Sequence, residues 1–234
     1  MEVARELDAA VGRARGARLA DKLAAASRAY ARDRYPEAFR ITKTLVSQVP
    51  ESASARELHG LVCYRMGRFR EAIRHLDAAR RLSGDDPSQL PVIMDCHRAM
   101  GHHRRVEELW QELRAASPDA DVLAEGRLVV AADHAERGDL DGAIDLLVRA
   151  GAGRNLRHPA DRHLRQWYVL ADLSERAGNL PQARELFRRV ADADPDLADV
   201  KVRLAGLGRG SRRPAGSGRP SRARRSRGAA GRPR

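Results

Sequence analysis

The stretch Arg176-Ala-Gly-Asn-Leu-Pro-Gln-Ala183 has four echoes upstream: Ala31-Arg-Asp-Arg-Tyr-Pro-Glu-Ala38, Arg65-Met-Gly-Arg-Phe-Arg-Glu-Ala72, Ala99-Met-Gly-His-His-Arg-Arg-Val106 and Glu136-Arg-Gly-Asp-Leu-Asp-Gly-Ala143. Each contains one helix-breaking residue (Asp33, Gly67, Gly101, Gly138, Gly178), and the breakers lie 34, 34, 37 and 40 residues apart. A small residue follows each breaker by five positions: Ala38, Ala72, Val106, Ala143 and Ala183. Four positions later come Thr42, Leu76, Trp110, Leu147 and Phe187, and three further on Leu45, Ala79, Leu113, Ala150 and Val190. A fixed period of this length is the signature of a repeat architecture.

Each unit reads as two helices joined by a tight turn. Glycine closes the first helix in the left-handed conformation, and aspartate is among the few other residues that tolerate it. Pro36 and Pro181 then fall in the first turn of the second helix, where a missing N–H is harmless. Pro50, Pro118 and Pro195 close three of the units. Apolar residues recur at spacings of three and four, as in Leu109, Trp110, Leu113 and Ile144, Leu147, Val148. Gly60, Ala131 and Ala171 are small residues in mid-helix that permit close approach of a neighbour. The expected fold is all-α, a solenoid of five helical hairpins. Residues 1–18 are expected as an N-terminal helical cap, 19–207 as the repeat domain with Pro195–Leu207 as a closing helix, and 208–234 as a disordered basic tail.

Charge divides along the same line. The chain of 234 residues carries 44 Lys+Arg against 32 Asp+Glu. Residues 208–234 hold ten arginines and no acid, which leaves 34 basic and 32 acidic residues in 1–207. The body is thus nearly neutral, and the high isoelectric point belongs to the tail. The longest purely apolar runs, Leu90–Met94 and Leu128–Ala132, are five residues, against about 20 for a membrane span. The acid-containing start predicts no secretory signal, and two cysteines are too few for a disulfide scaffold, so a cytoplasmic, reduced protein is expected.

The units resemble the tetratricopeptide repeat. The last one matches best, with Trp167, Leu170, Ala171, Gly178, Ala183, Phe187 and Pro195 at that family's intervals. Elsewhere Lys22 replaces the tryptophan, Ala29, Cys63, His97, His134 and Ser174 replace the helix-A aromatic, and 151–159 is an insertion. Short bacterial cytoplasmic proteins of this type are similar, a likeness that brings no activity with it. The resemblance implies a right-handed superhelix with a ligand groove lined by the first helix of each unit. By register that face carries Tyr30, Glu57, Leu61, Tyr64, Asp95, Arg98, Glu125, Leu128, Arg165, Tyr168 and Asp172. Tyr30, Tyr64, Asp95, Arg98, Arg165, Tyr168 and Asp172 are the candidate partner-binding residues, since tyrosine and arginine dominate binding hot spots. The clamp asparagine that some relatives use for a peptide carboxylate is absent: Ser27, Leu61, Asp95, Ala132 and Asp172 stand there instead. A mixed-charge or amphipathic helical peptide is the expected ligand.

Nothing points to catalysis or to a cofactor: there is no phosphate-binding Gly-Lys-Ser/Thr loop, no His-Glu-x-x-His and no nucleophile elbow. Two groupings have metal-ligand chemistry, Asp95/Cys96/His97/His102/His103 and the pair His59/Cys63 on one helix face. Both occupy repeat positions that ordinarily serve packing or turns, and no metal is expected. The function read from these residues is a non-enzymatic protein–protein scaffold. The alternative is association with RNA, ribosome or DNA through Arg212, Arg213, Arg222, Arg224, Arg225 and Arg227, which can neutralise phosphates without reading sequence.

Overall fold

The structure is a computed structural model and describes residues 2–209. The six tail arginines from Arg212 to Arg227 lie outside the described residues. Five antiparallel hairpins follow one another: α2 (Arg13–Ala31) with α3 (Tyr35–Gln48), α4 (Ala53–Arg65) with α5 (Phe69–Leu82), α6 (Leu90–Ala99) with α7 (His103–Ala116), α8 (Ala120–Glu136) with α9 (Leu140–Arg149), and α10 (Asp161–Arg176) with α11 (Leu180–Ala193). Helix α1 (Glu2–Val11) precedes them and α12 (Val200–Arg209) follows; no strand occurs among the described residues. Helix α2 runs unbroken through positions 18 and 19.

The same turn closes all five first helices. The breaker N–H of Asp33, Gly67, Gly101, Gly138 or Gly178 donates to the carbonyl three residues back. The next N–H donates to the carbonyl five back, with Arg34→Ala29, Arg68→Cys63, His102→His97, Asp139→His134 and Asn179→Ser174 all at 2.8–2.9 Å. This pair of bonds is the Schellman closure and requires a left-handed residue. The breakers have φ of +57° (Asp33), +71°, +72°, +85° and +81°. Open space surrounds Gly67 and Gly178, so a side chain there meets no clash and only backbone strain acts. Gly67→Val and Gly178→Val should each destabilise by about 1–3 kcal/mol, with Gly178→Asn losing less. Denaturant midpoints test this, and unchanged values for both valine variants would refute the turn assignment.

The repeat positions pack as their spacing demands. Ala38, Ala72, Val106, Ala143 and Ala183 are buried, as are Thr42, Leu76, Trp110, Leu147 and Phe187. One expectation fails. Ala150 is exposed, because α9 ends at Arg149 and Gly151, at φ +89°, turns the chain into the insertion; Ala152 is buried instead. Gly60 confirms the need for a small residue, since a Cβ would stand 2.6 Å from Leu76 Cγ. Gly126 serves the same purpose unforeseen, since a Cβ there would run into Leu113 Cδ2. Leu7 of α1 packs with Leu19, Leu23 and Leu45 at one end, and Val200 and Leu207 of α12 join the core of the last hairpins at the other.

Candidate partner-binding groove

The first helices α4, α6, α8 and α10 present their inner faces to one groove of about 750 Å³. Its floor is apolar: Pro91 and Val92 from α6, with Val122, Leu128, Val129 and Ala132 from α8. Tyr64, Asp95, Asp121, Glu125, Asp161, Arg162 and Arg165 add polar groups. Four carboxylates thus face two guanidinium groups.

Most of these charges are already used between hairpins. The Tyr64 hydroxyl donates to Asp95 Oδ2 at 2.6 Å, and Arg98 Nε donates to Asp95 Oδ1 at 2.8 Å. Arg98 also bridges to Glu136 on α8, and Arg165 of α10 bridges to Glu125. Arg162 Nη1 lies 3.0 Å from Asp121 Oδ1, and Gln89 donates to Glu57 at 2.6 Å. Asp161 has no ion pair among the described residues. Burial, followed by the bond to Asp95, pushes the Tyr64 hydroxyl well above the ordinary tyrosine value. Its proton therefore stays in place to donate.

Of the seven candidate residues, the groove gathers Tyr64, Asp95 and Arg165. Arg98 sits beside it, turned onto Asp95 and Glu136. Tyr30 lies at the amino-terminal side, edge-on to Tyr35 at 5.7 Å, with the Arg65 guanidinium 6.0 Å from its ring. Tyr168 and Asp172 turn to the closing helix: Tyr168 donates to Asp199, and Arg203 Nη2 lies 2.7 Å from Asp172 Oδ1. Burial pushes the Tyr168 hydroxyl up to about 12. Of the apolar floor, register places Leu128 on this face but misses Val92, Val122 and Val129, which the same register carried one turn further would have reached. Asp161 and Arg162 were missed because the insertion sets where α10 begins.

The histidine and cysteine groupings are rearranged. Asp95 turns to Tyr64, Cys96 enters the core with Cys63 and Ala72, His97 Nδ1 lies 3.3 Å from His102 Nδ1, and His103 Nδ1 lies 2.6 Å from Asp133. These five residues therefore form no shared ligand set. His59 and Cys63 do meet, with Nε2 3.7 Å from Sγ. Burial lowers the basicity of His59, and that of His75 falls to about 4. Burial also pushes both thiols up to about 12, so Cys63 and Cys96 should resist thiol reagents at pH 8 until the chain unfolds. Rapid labelling of the native protein in a timed thiol assay would refute this.

The succession of helical hairpins matches solved structures. TTC0263, described as a thermophilic TPR protein in Thermus thermophilus, aligns with TM-score 0.65 at 17% identity, covering 81% of this chain and 98% of that one. The chain has the tetratricopeptide-repeat fold. A putative kinesin light chain from Podosopora anserina with TPR-like repeats aligns at TM-score 0.57 and 17% identity, over 77% of this chain and 98% of that one. Human IFIT1, in a dimer with m7Gppp-AAAA, aligns at 0.54 and 15%, over 76% of this chain and 43% of that one. No family model and no curated protein matches the sequence. Among the described residues of this tetratricopeptide-repeat fold, no helix is long and apolar enough to cross a membrane.

Proposed function

We propose that the protein is a non-enzymatic scaffold that holds a protein or peptide partner in the groove between α4 and α10. The observation that carries this reading is an apolar floor edged by Asp161, a carboxylate without an ion pair among the described residues, in a cavity of about 750 Å³. Such a cavity accepts several side chains of an amphipathic helix. Apolar residues of the ligand would cover Val92, Val122, Leu128 and Val129, and a basic residue would face Asp161. Tyr64, Asp95 and Arg165 are the proposed contact residues, with Tyr30, Arg98, Tyr168 and Asp172 extending the surface at its flanks. A surplus of carboxylates repels a phosphate backbone, so the folded body offers no support in this groove to the polyanion alternative.

Peptides selected from a displayed random library on the full chain test the proposal, with affinities read by fluorescence anisotropy. Selected sequences should combine apolar residues with Lys or Arg. Leu128→Glu should weaken them at least ~10-fold, or about 1.4 kcal/mol; because Leu128 also packs against the core of the last hairpins, circular dichroism checks that the variant is folded. A chain ending at residue 207 should bind equally well. No enrichment, or equal binding to Leu128→Glu, would overturn the groove reading. Nuclease-sensitive binding seen only with the full chain would favour the tail instead.

A further inference from the structure

The second hairpin buries three groups whose chemistry the scaffold reading does not use. His59 on α4 and Glu71 and His75 on α5 bring one ligand atom each within 4.8 Å of the other two. Glu71 and His75 are four apart, on one face of α5. His59 and His75 are 2% and 6% exposed, and their rings meet edge-on with centroids 4.6 Å apart. His75 Nδ1 is buried without a hydrogen-bond partner among the described residues. An unmatched polar atom in a packed interior costs stability and asks for a reason.

His59 has a polar partner at each ring nitrogen. Thr42 Oγ1 lies 2.8 Å from both the Ala38 carbonyl and His59 Nδ1, and when its one proton goes to the carbonyl it accepts from the imidazole. In the Nδ1-protonated tautomer that this contact supports, the Nε2 lone pair faces Glu71 Oε1 at 3.5 Å. Two acceptors face each other there, an arrangement that a cation between them relieves. Donors bonded to one tetrahedral Zn2+ at 2.0–2.1 Å stand about 3.3–3.4 Å apart, close to the 3.5 Å between His59 Nε2 and Glu71 Oε1, while His75 lies within 4.8 Å of both. Thr42 then acts as the outer group that holds a ligating imidazole in its tautomer. Arg68 Nη2 holds the other Glu71 oxygen at 2.6 Å, which orients the carboxylate. The Arg74 guanidinium, 70% exposed, donates to His75 Nε2 at 3.3 Å and lies 3.8 Å from Glu71 Oε1, so an ion takes its place only as it swings into solvent.

We propose that His59, Glu71 and His75 bind a divalent transition-metal ion of the zinc class, stapling α4 to α5. Two imidazoles and one carboxylate suit zinc or cobalt rather than the all-oxygen preference of calcium and magnesium. Cys63, with Sγ 3.7 Å from His59 Nε2, flanks the site.

The test uses the full chain, stripped with a chelator, kept reduced and titrated with Co2+ alone. One equivalent should bind with the strong visible bands of tetrahedral cobalt, Zn2+ should bleach them, and Zn2+ should raise the thermal midpoint. Glu71→Gln should weaken binding at least ~10-fold, and His75→Leu should abolish it. Leucine suits a buried helix position, and circular dichroism confirms that the variant is folded; His75→Gln replaces it if it is not. Absence of visible bands and of a thermal shift in the unaltered chain would overturn the proposal. So would equal cobalt binding by the Glu71 and His75 variants, which would place the ion elsewhere.

Discussion

Phe187→Ala should destabilise the protein by about 3–5 kcal/mol, the range for deleting a fully buried aromatic ring. Phe187 is wholly buried, in the core cluster that spans α8 to α12. Tyr168 packs edge-on against it at 5.4 Å and the Arg203 guanidinium lies 4.9 Å over its ring, so alanine removes contacts from two elements besides its own. In a chain of this size that loss lowers the thermal midpoint by roughly 6–20 °C. Repeat proteins transmit such damage only to neighbours, so hydrogen exchange should quicken in α10 and α11 well before α2 and α3. A midpoint within a degree or two of the unaltered chain would contradict the assigned core.

The second large effect concerns α12. A chain ending at Asp194, compared with one ending at 209, loses Val200 and Leu207, both buried against the last hairpin. Burying each side chain is worth about 1.5–3 kcal/mol, so their joint loss removes roughly 3–6 kcal/mol. It also removes Arg203, whose guanidinium lies 2.7 Å from both Asp172 and Glu175. Those carboxylates are about a third exposed, so the ion pairs add little beside the apolar burial. Helices α10 and α11 should fray, with their amide protection falling most. Equal protection in the two chains would mean that α12 does not act as the closing helix.

The turn and core positions behind these expectations were legible without coordinates. A left-handed residue every 34 to 40 positions is a local stereochemical demand, and Ala183 or Phe187 follows it at a spacing that helix geometry alone dictates. Ala150 misled because the rule assumed a full-length second helix, whereas Gly151 ends α9 early. The groove was legible only in part. Its face followed from register, yet its strongest predicted contacts were side chains that the solenoid itself employs.

The sequence by itself determined the repeat, the five turns and the alternating small and large core residues, because each depends on neighbours within one helical hairpin. Only the tertiary structure decided which polar groups remain available. Tyr64 meets Asp95 across 31 residues and Arg165 meets Glu125 across 40, distances set by the stacking of hairpins and by the insertion before α10. Likewise His59 finds Glu71 and His75 because α4 and α5 pack closely beneath Thr42 of the preceding hairpin. Backbone stereochemistry acts within a turn, whereas pairing of charges and ligands depends on how whole helices are laid side by side.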